Sequence, residues 1–92
     1  MERIRITSRV IRTEAGQKRR LHYDLLTELL EFDGTQLEMY GLQVVLDDDR
    51  MTEIFAVRRI SPRLKPVLEM IASMADATVT PICVPEILQE LL

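Results

Sequence analysis

The chain has few of the residues on which catalytic and extracellular domains depend. Its 92 residues include one Cys, one His, three Gly and no Trp. The lone Cys83 cannot close an internal disulfide, which argues against a disulfide-stabilised secreted domain and suits a reducing cytosol. The chain also lacks an opening signal sequence and any apolar run of membrane-spanning length. We therefore expect a soluble, cytoplasmic protein.

The same shortages leave few candidates for catalysis or metal binding. A nucleophile needs an adjacent base and an orienting group, but His22 is expected on a charged strand face and Cys83, between two apolar residues, is expected to be buried. Three Gly leave no phosphate-binding loop and no dinucleotide fingerprint. Residues 47–49, three consecutive Asp, lack the alternation and the Gly of a calcium loop and indicate a solvated hairpin turn. We expect no catalytic residue, metal or cofactor, and hence no enzyme.

Aromatic residues are scarce as well, at 4% of the chain, so Leu, Ile, Val and Met must fill the core. Apolar residues nevertheless make up 47% of the chain, which is ordinary for a globular protein. The length fits one domain over residues 1–92. A core of this size is marginal, and association with a second copy is a common remedy.

The charge of the chain is unevenly distributed. The net charge is −3, yet residues 1–20 alone carry seven basic and two acidic side chains, which leaves −8 on the remainder. Such asymmetry indicates either an anion-binding arm or a basic strand paired with acidic neighbours. The candidate anion-binding residues are Arg3, Arg5, Arg9, Arg19 and Arg20, and Arg58 and Arg59 could lie near them. No aromatic residues interleave with these arginines and the isoelectric point is about 5.1, so we do not expect nucleic acid as the partner.

Apolar residues alternate with polar ones over residues 3–12, 21–32 and 37–46, which predicts three strands. Residues 52–60 predict a fourth strand that is apolar on both faces, so periodicity leaves its inward face open. The segment 21–32 also fits a helical stripe of Leu, but Asp33-Gly34 at its end is a hairpin signal and favours a strand. Strand 37–46 is expected inside the sheet because apolar segments flank it on both sides.

One register of the first hairpin satisfies both faces of the predicted sheet. This register places Arg12 opposite Leu21. On one face it forms the pairs Val10–Tyr23, Ile6–Thr27 and Ile4–Leu29, and on the other it sets opposite charges together in Arg9–Asp24 and Arg5–Glu28. Cross-strand pairs of opposite charge are worth about 0.2–1 kcal/mol each. A loop over residues 33–36 then sets Leu29 opposite Tyr40 in the next strand. The three strands are expected to share one apolar side that includes Tyr23 and Tyr40.

Two helices are predicted after the strands. Ser61-Pro62 marks a helix start, with Ser at the N-cap and Pro at the first helical position. Apolar residues from Leu64 to Ala75 then follow helical spacing, although Pro66 should remove one backbone hydrogen bond, so the regular helix could begin only there. After a break at residues 78–81, Val84-Pro85 opens a short final helix, whose apolar stripe is Ile87, Leu88, Leu91 and Leu92.

These elements predict an α+β fold, namely a four-stranded antiparallel β-meander with two C-terminal helices packed on one face. The opposite face is not cleanly polar, because it also carries Leu26, Leu30, Met39, Val45, Phe55 and Val57. An open sheet face with so many apolar groups generally has a cover, and a second subunit is the simplest candidate.

Short motifs spread over most of the chain resemble a small family of uncharacterised proteins from Gram-positive, mainly clostridial, bacteria, classed as a domain of unknown function. The resembling pieces are residues 14–17 and 20–23, the strand from Tyr40 to Val44, Ile60-Ser61-Pro62, and Val79-Thr80-Pro81 before a short acidic and apolar tail. The tail is less acidic here than the family pattern. The resemblance implies a bacterial, cytoplasmic origin and brings no activity with it.

The sequence therefore favours a non-enzymatic interaction module that forms a homodimer through its sheet and docks a protein partner. The alternative is binding of an anion or a nucleic acid through the basic N-terminal strand.

Overall fold

The computed structural model describes residues 1–48 and 50–91, so that Asp49 of the predicted turn and Leu92 of the predicted stripe lie outside the described residues. One antiparallel sheet holds four strands in chain order, β1 (Glu2–Arg12), β2 (Lys18–Phe32), β3 (Thr35–Asp47) and β4 (Thr52–Ser61). Helix α1 (Leu64–Asp76), a 3-10 turn (Pro81–Cys83) and helix α2 (Val84–Leu91) follow. The predicted α+β meander with two C-terminal helices is confirmed, and residues 21–32 form a strand rather than a helix.

The core lies between the helices and one face of the sheet. Alternate residues of the two central strands point into it, namely Leu21, Tyr23 and Leu25 of β2 with Leu42, Val44 and Leu46 of β3. They meet the buried side of the helices, formed by Val67, Ile71, Met74, Ala75, Val84 and Leu88. Removal of this apolar surface from water is the main favourable contribution to folding. We call this side of the sheet the helix face and the opposite side the uncovered face.

Tyr23 connects the sheet to the segment between the two helices. Its hydroxyl donates a hydrogen bond to the carbonyl oxygen of Val79 at 2.9 Å, inside the core. Burial raises the pKa of Tyr23 to about 12, and the positive charge of Arg9 opposes part of that rise. Tyr40 packs against the same core, so the prediction that Tyr23 and Tyr40 share one side of the sheet is confirmed.

The β2–β3 hairpin is closed by the two residues Asp33-Gly34, with Phe32 opposite Thr35. Both turn residues have positive φ, 52° and 76°, which is the type I′ geometry that Asp-Gly favours. The predicted four-residue loop is therefore wrong, and Leu29 lies opposite Glu38 rather than opposite Tyr40. Because this shift is two residues and side chains alternate with period two, the predicted faces are unchanged.

The predicted register of β1 against β2 is also wrong. The connecting turn is shorter than predicted, so Arg12 lies opposite Lys18 instead of Leu21. A β-bulge between Arg5 and Thr7 then exchanges the two faces along β1. One bulge residue is enough to do so, because the side-chain period of a strand is two.

The new register changes the partners of the β1 side chains. Arg9 lies opposite Leu21 on the helix face, and Val10 lies opposite Arg20 on the uncovered face. Arg5 takes the place opposite Asp24 that was predicted for Arg9. The pairing of β1 ends at Thr27, so the predicted pair of Arg5 with Glu28 does not form.

The faces of β4 follow from its register against β3. Phe55 lies opposite Val44 and Val57 lies opposite Leu42, and both pack against the core. The predicted placement of Phe55 and Val57 on the second face of the sheet is therefore wrong. Ile54 and Ala56 occupy the uncovered face instead, because they alternate with the inward pair.

Helix α1 begins at Leu64, two residues before Pro66. Pro66 lies in the first helical turn, where backbone N–H groups have no partner within the helix. The predicted loss of a hydrogen bond at Pro66 is therefore wrong. Ser61 precedes the helix instead of capping it, and its hydroxyl oxygen accepts a hydrogen bond from the backbone N–H of Arg63 at 3.0 Å. Among the described residues, no helix has the length and apolar content needed to cross a membrane.

Cys83 is exposed, so its predicted burial is wrong. It lies in the short 3-10 turn before α2, between the buried residues Pro81 and Val84. Those two side chains face the core, and the tight turn directs Ile82 and Cys83 outward.

The sheet is longer than the helix layer that covers it, and the molecule has a greatest dimension of 54 Å. β1 pairs with β2 only as far as Thr27, and β4 pairs with β3 only as far as Tyr40. The end of the β2–β3 hairpin therefore extends as a two-stranded ribbon beyond the flanking strands.

Candidate functional site

The predicted partner site falls on the uncovered face of the sheet. Because strand side chains alternate, the register assigns this face to even-numbered residues of β2 and odd-numbered residues of β3. We distinguish two parts of this face. The apolar end lies on the extended hairpin and consists of Leu30, Phe32, Leu37 and Met39. The charged centre consists of Arg3, Arg5, Asp24, Glu28, Gln43, Arg58 and Arg59.

The apolar end is a continuous surface. Leu30 lies directly opposite Leu37, and Phe32 and Met39 are the next residues on the same face. Phe32 is 74% exposed and Leu37 is 43% exposed, while Leu30 and Met39 are half-buried. Their side chains are close enough across the two strands to form one apolar cluster.

Only four of the six residues predicted for the partner face lie together on the uncovered face. Leu26, Leu30, Met39 and Val45 do lie on the uncovered face. Leu26 and Val45 are already buried there and have little further surface to offer. Sequence reasoning missed Phe32 and Leu37, although Phe32 continues the alternation of Leu26 and Leu30 and would have been found from it.

Asp24 occupies the middle of the charged centre and is fully buried. Arg5 donates its Nε–H to Oδ1 at 3.1 Å, and Gln43 donates its Nε2–H to Oδ2 at 3.2 Å. Arg3 adds its Nε at 3.9 Å from Oδ2. A buried carboxylate is costly unless it is paired and hydrogen-bonded. The register meets this need, because it sets Arg5 and Gln43 opposite Asp24 on the two neighbouring strands.

Glu28 is the second carboxylate of the charged centre. Arg59 donates Nε–H to Oε2 at 2.9 Å and Nη2–H to Oε1 at 3.1 Å, and Arg58 also donates to Oε1. These hydrogen bonds, with that of Arg59 the largest cause, lower the pKa of Glu28 to about 2. The carboxylate in turn raises the pKa of Arg59.

Gly41 makes this contact between β2 and β4 possible. It lies on β3 between them, opposite Leu26 and beside a bulge of β4 between Val57 and Ser61. A Cβ atom at Gly41 would lie 2.2 Å from the carbonyl oxygen of Val57. Only glycine admits this close approach, and the arginines after Val57 reach across it to Glu28.

The five predicted anion-binding arginines are divided between the two faces. Arg3, Arg5 and Arg20 lie on the uncovered face. Arg9 and Arg19 lie on the helix face, where Arg9 Nη2 is 3.9 Å from Asp76 Oδ1 and Arg19 Nε is 3.3 Å from Asp48 Oδ2. Arg58 and Arg59 lie across the sheet from Arg3 and Arg5, on the opposite edge strand.

Ser8 and His22 form a contact that the sequence did not suggest, because the predicted register set them apart. Ser8 Oγ and His22 Nδ1 are 2.7 Å apart on the uncovered face. In the part of the chain that the structure describes, no carboxylate hydrogen-bonds to His22. The pair therefore lacks the third, orienting group on which nucleophilic catalysis by serine relies.

The acidic turn after β3 is a structural turn. The Asp48 carboxylate accepts hydrogen bonds from the backbone N–H groups of Arg50 and Met51, both at 2.8 Å. The bond from Met51, followed by that from Arg50, lowers the pKa of Asp48. Over residues 1–48 and 50–91, no three His, Cys, Asp or Glu side chains are grouped so that they could hold a metal ion.

A four-stranded meander with helices on one side and a mixed apolar and charged surface on the other defines a small α+β domain. The chain matches the Family of unknown function (DUF6514) over residues 2–92, and it belongs to that family. The predicted membership of an unknown-function family is thereby confirmed. No curated protein and no solved structure shows significant similarity to the chain.

Proposed function

We propose that the protein is a non-enzymatic interaction module that self-associates through the apolar end of its uncovered face. The observation that carries the proposal is the position of Leu30, Phe32, Leu37 and Met39 on one side of a ribbon without flanking strands. A two-stranded ribbon is at best marginally stable in water without a further layer. A second copy supplies that layer when the two apolar ends meet.

A two-fold dimer suits this surface because the same patch then meets itself. The apolar end lies on the part of the hairpin that extends beyond β1 and β4, and the molecule is elongated. Two copies can therefore overlap there while their positively charged centres remain apart. Exposed apolar clusters of this kind are typical of protein–protein contact sites.

Sedimentation equilibrium tests the proposal with a matched pair of variants. We expect the wild-type chain to reach a dimer in the micromolar range, and L30K/L37K to weaken the association constant at least about tenfold, since it places charges in the apolar contact. L29K is the control, because Leu29 is exposed on the same strand but points to the other face. A wild-type chain that stays monomeric at high micromolar concentration would contradict the proposal.

The absence of enzymatic activity is part of the proposal. Two observations support it. The Ser8–His22 pair has no orienting carboxylate among the described residues. The carboxylates of the charged centre, buried Asp24 and half-buried Glu28, are both engaged in ion pairs. Docking of a further protein partner on the uncovered face belongs to the same proposal.

We also propose a cytoplasmic location in a Gram-positive bacterium. Cys83 is free, as in proteins of a reducing compartment, and the chain resembles clostridial members of an unknown-function family. The alternative of one anion or nucleic-acid site made of all five predicted arginines has less support, since Arg9 and Arg19 lie on the opposite face from Arg3, Arg5 and Arg20.

A further inference from the structure

The uncovered face has the opposite charge to the rest of the molecule. Among residues 1–48 and 50–91 it presents seven basic side chains and three acidic ones, and so a net charge of +4, through Arg3, Arg5, Arg12, Lys18, Arg20, Arg58 and Arg59 against Asp24, Glu28 and Asp47. The chain as a whole has a net charge of −3, so the remainder carries −7. The register and the two edge bulges produce this separation of positive from negative charge, which the net charge of the chain does not reveal.

The acidic groups of the charged centre lie beneath the basic ones. Asp24 is fully buried and the Glu28 side chain is 14% exposed, whereas Arg3, Arg5, Arg58 and Arg59 each leave about half of the side chain exposed. Each carboxylate forms ion pairs with two guanidinium groups, so that each cluster has an excess of one positive charge. A molecule that approaches this surface therefore meets positive charge and unused N–H donors.

We infer that the charged centre docks an acidic protein segment, whose carboxylates bind the outward guanidinium groups of Arg3 and Arg5 at one point and of Arg58 and Arg59 at another. Asp24 and Glu28, around which the two binding points form, are four residues apart on β2 and hence about 13 Å apart along the strand. Charge complementarity selects this occupant. A second copy of the same surface would bring like charges together and is excluded from the centre.

Nucleic acid fits the same surface less well. Three of the four aromatic side chains, Tyr23, Tyr40 and Phe55, point to the helix face, and Phe32 lies at the apolar end. The charged centre thus has no aromatic platform for a base, and single-stranded nucleic acids are bound through such platforms. The guanidinium pairs instead match carboxylates, with which arginine forms two parallel hydrogen bonds.

A binding titration with a short fluorescein-labelled polyglutamate tests the inference. A labelled oligothymidylate of similar charge is titrated separately and represents a nucleic-acid partner. We expect saturable polyglutamate binding at low ionic strength that weakens steadily with added salt. R58Q/R59Q should weaken it about tenfold, because one of the two binding points is lost. R63Q/K65Q removes the same charge from the exposed start of α1 and should change it less than about twofold.

Chemical-shift mapping on the wild-type chain makes the test independent of how well any variant folds. On addition of polyglutamate, the largest amide shifts should fall on Arg3, Arg5, Arg58 and Arg59, and the amides of α1 should stay unchanged. The inference is overturned if polyglutamate does not bind at low salt, if R63Q/K65Q weakens binding as much as R58Q/R59Q, or if the shifts fall on the helices. Tighter binding of oligothymidylate would replace it with a nucleic-acid partner. Because the monomer suffices for these measurements, failure of self-association leaves this inference standing.

Discussion

Arg59 of β4 and Glu28 of β2 are joined by two parallel hydrogen bonds of 2.9 and 3.1 Å, although another strand lies between them. Arg59 has a φ of 56°, in the left-handed region that costs a side chain free energy. The bulge of β4 and the absence of a side chain at Gly41 allow this contact. The pair therefore connects the edge strand β4 to β2 across β3 and completes the charged centre.

Substitution of Gly41 by Ala should disrupt this arrangement. The added Cβ would lie 2.2 Å from the carbonyl oxygen of Val57 and 2.9 Å from the Cα of Arg58, and backbone atoms cannot rotate out of the way. We expect G41A to lower the free energy of unfolding by about 2–4 kcal/mol, measured by urea denaturation.

G34A is the control for this experiment. Gly34 also has a special conformation, with φ at 76°, but a Cβ atom there would have open space around it. Its cost should be only the strain of the left-handed conformation, about 1 kcal/mol. Equal losses for G41A and G34A would show that the close approach at Gly41 does not matter.

Acid should weaken the fold through Glu28. Its pKa is lowered from 4.5 to about 2 by the hydrogen bonds of Arg59 and Arg58, so the folded state favours the ionised form. The stabilisation is present above pH 4.5 and is lost as the pH falls toward 2, because the unfolded chain takes up the proton first. Urea denaturation should show a shallower loss for E28Q than for the wild type over this range. Parallel curves would contradict the assignment.

Alkali should weaken the fold through Tyr23. Its pKa is raised from 10.0 to about 12 by burial, so the folded state favours the neutral phenol. The stabilisation is complete below pH 10 and is lost as the pH rises toward 12. Y23F should flatten this part of the pH curve. At neutral pH it should cost about 1 kcal/mol, because the carbonyl of Val79 loses its partner. An unchanged alkaline limb in the Y23F variant would refute the role of this residue.

Removal of the buried charge of Asp24 should destabilise the sheet. In D24N the side chain keeps its shape, but Arg3 and Arg5 lose the anion between them. Since both arginines are half exposed, water compensates for part of the loss, and we expect about 1–2 kcal/mol in thermal or urea unfolding. E53Q, on an exposed position of β4, is the control and should be neutral within about 0.5 kcal/mol. A D24N variant as stable as E53Q would show that the cluster adds nothing to stability.

The sequence alone predicted the strands, the two helices and their order, because these depend on local patterns. The alternation of Leu21, Tyr23 and Leu25 and the Asp33-Gly34 turn both act over a few residues. Period two also made the faces of β2 and β3 correct, although their register was wrong by two residues.

The bulges could not be predicted from the same patterns. The bulge between Arg5 and Thr7 moves Arg9 to the helix face, and the bulge after Val57 brings Arg58 and Arg59 over Gly41. Each depends on contacts with a neighbouring strand that are distant in sequence. The sequence could not predict which face of the sheet carries Phe55 and Val57, because β4 is apolar on both sides and only its register against β3 decides. For this reason the sequence paired Asp24 and Glu28 with the wrong arginines, although it named the residues that form the ion pairs of the charged centre.

We propose above all that the protein binds a second copy through the apolar end of its uncovered face. Methyl NMR with a soluble paramagnetic relaxation agent tests it most directly, at a low and at a high protein concentration. We predict that at high concentration the methyl groups of Leu30, Leu37 and Met39 become protected from the agent, while those of Leu29 stay accessible. Protection of Leu29 with Leu30 and Leu37 still accessible, or no concentration dependence at all, would contradict it.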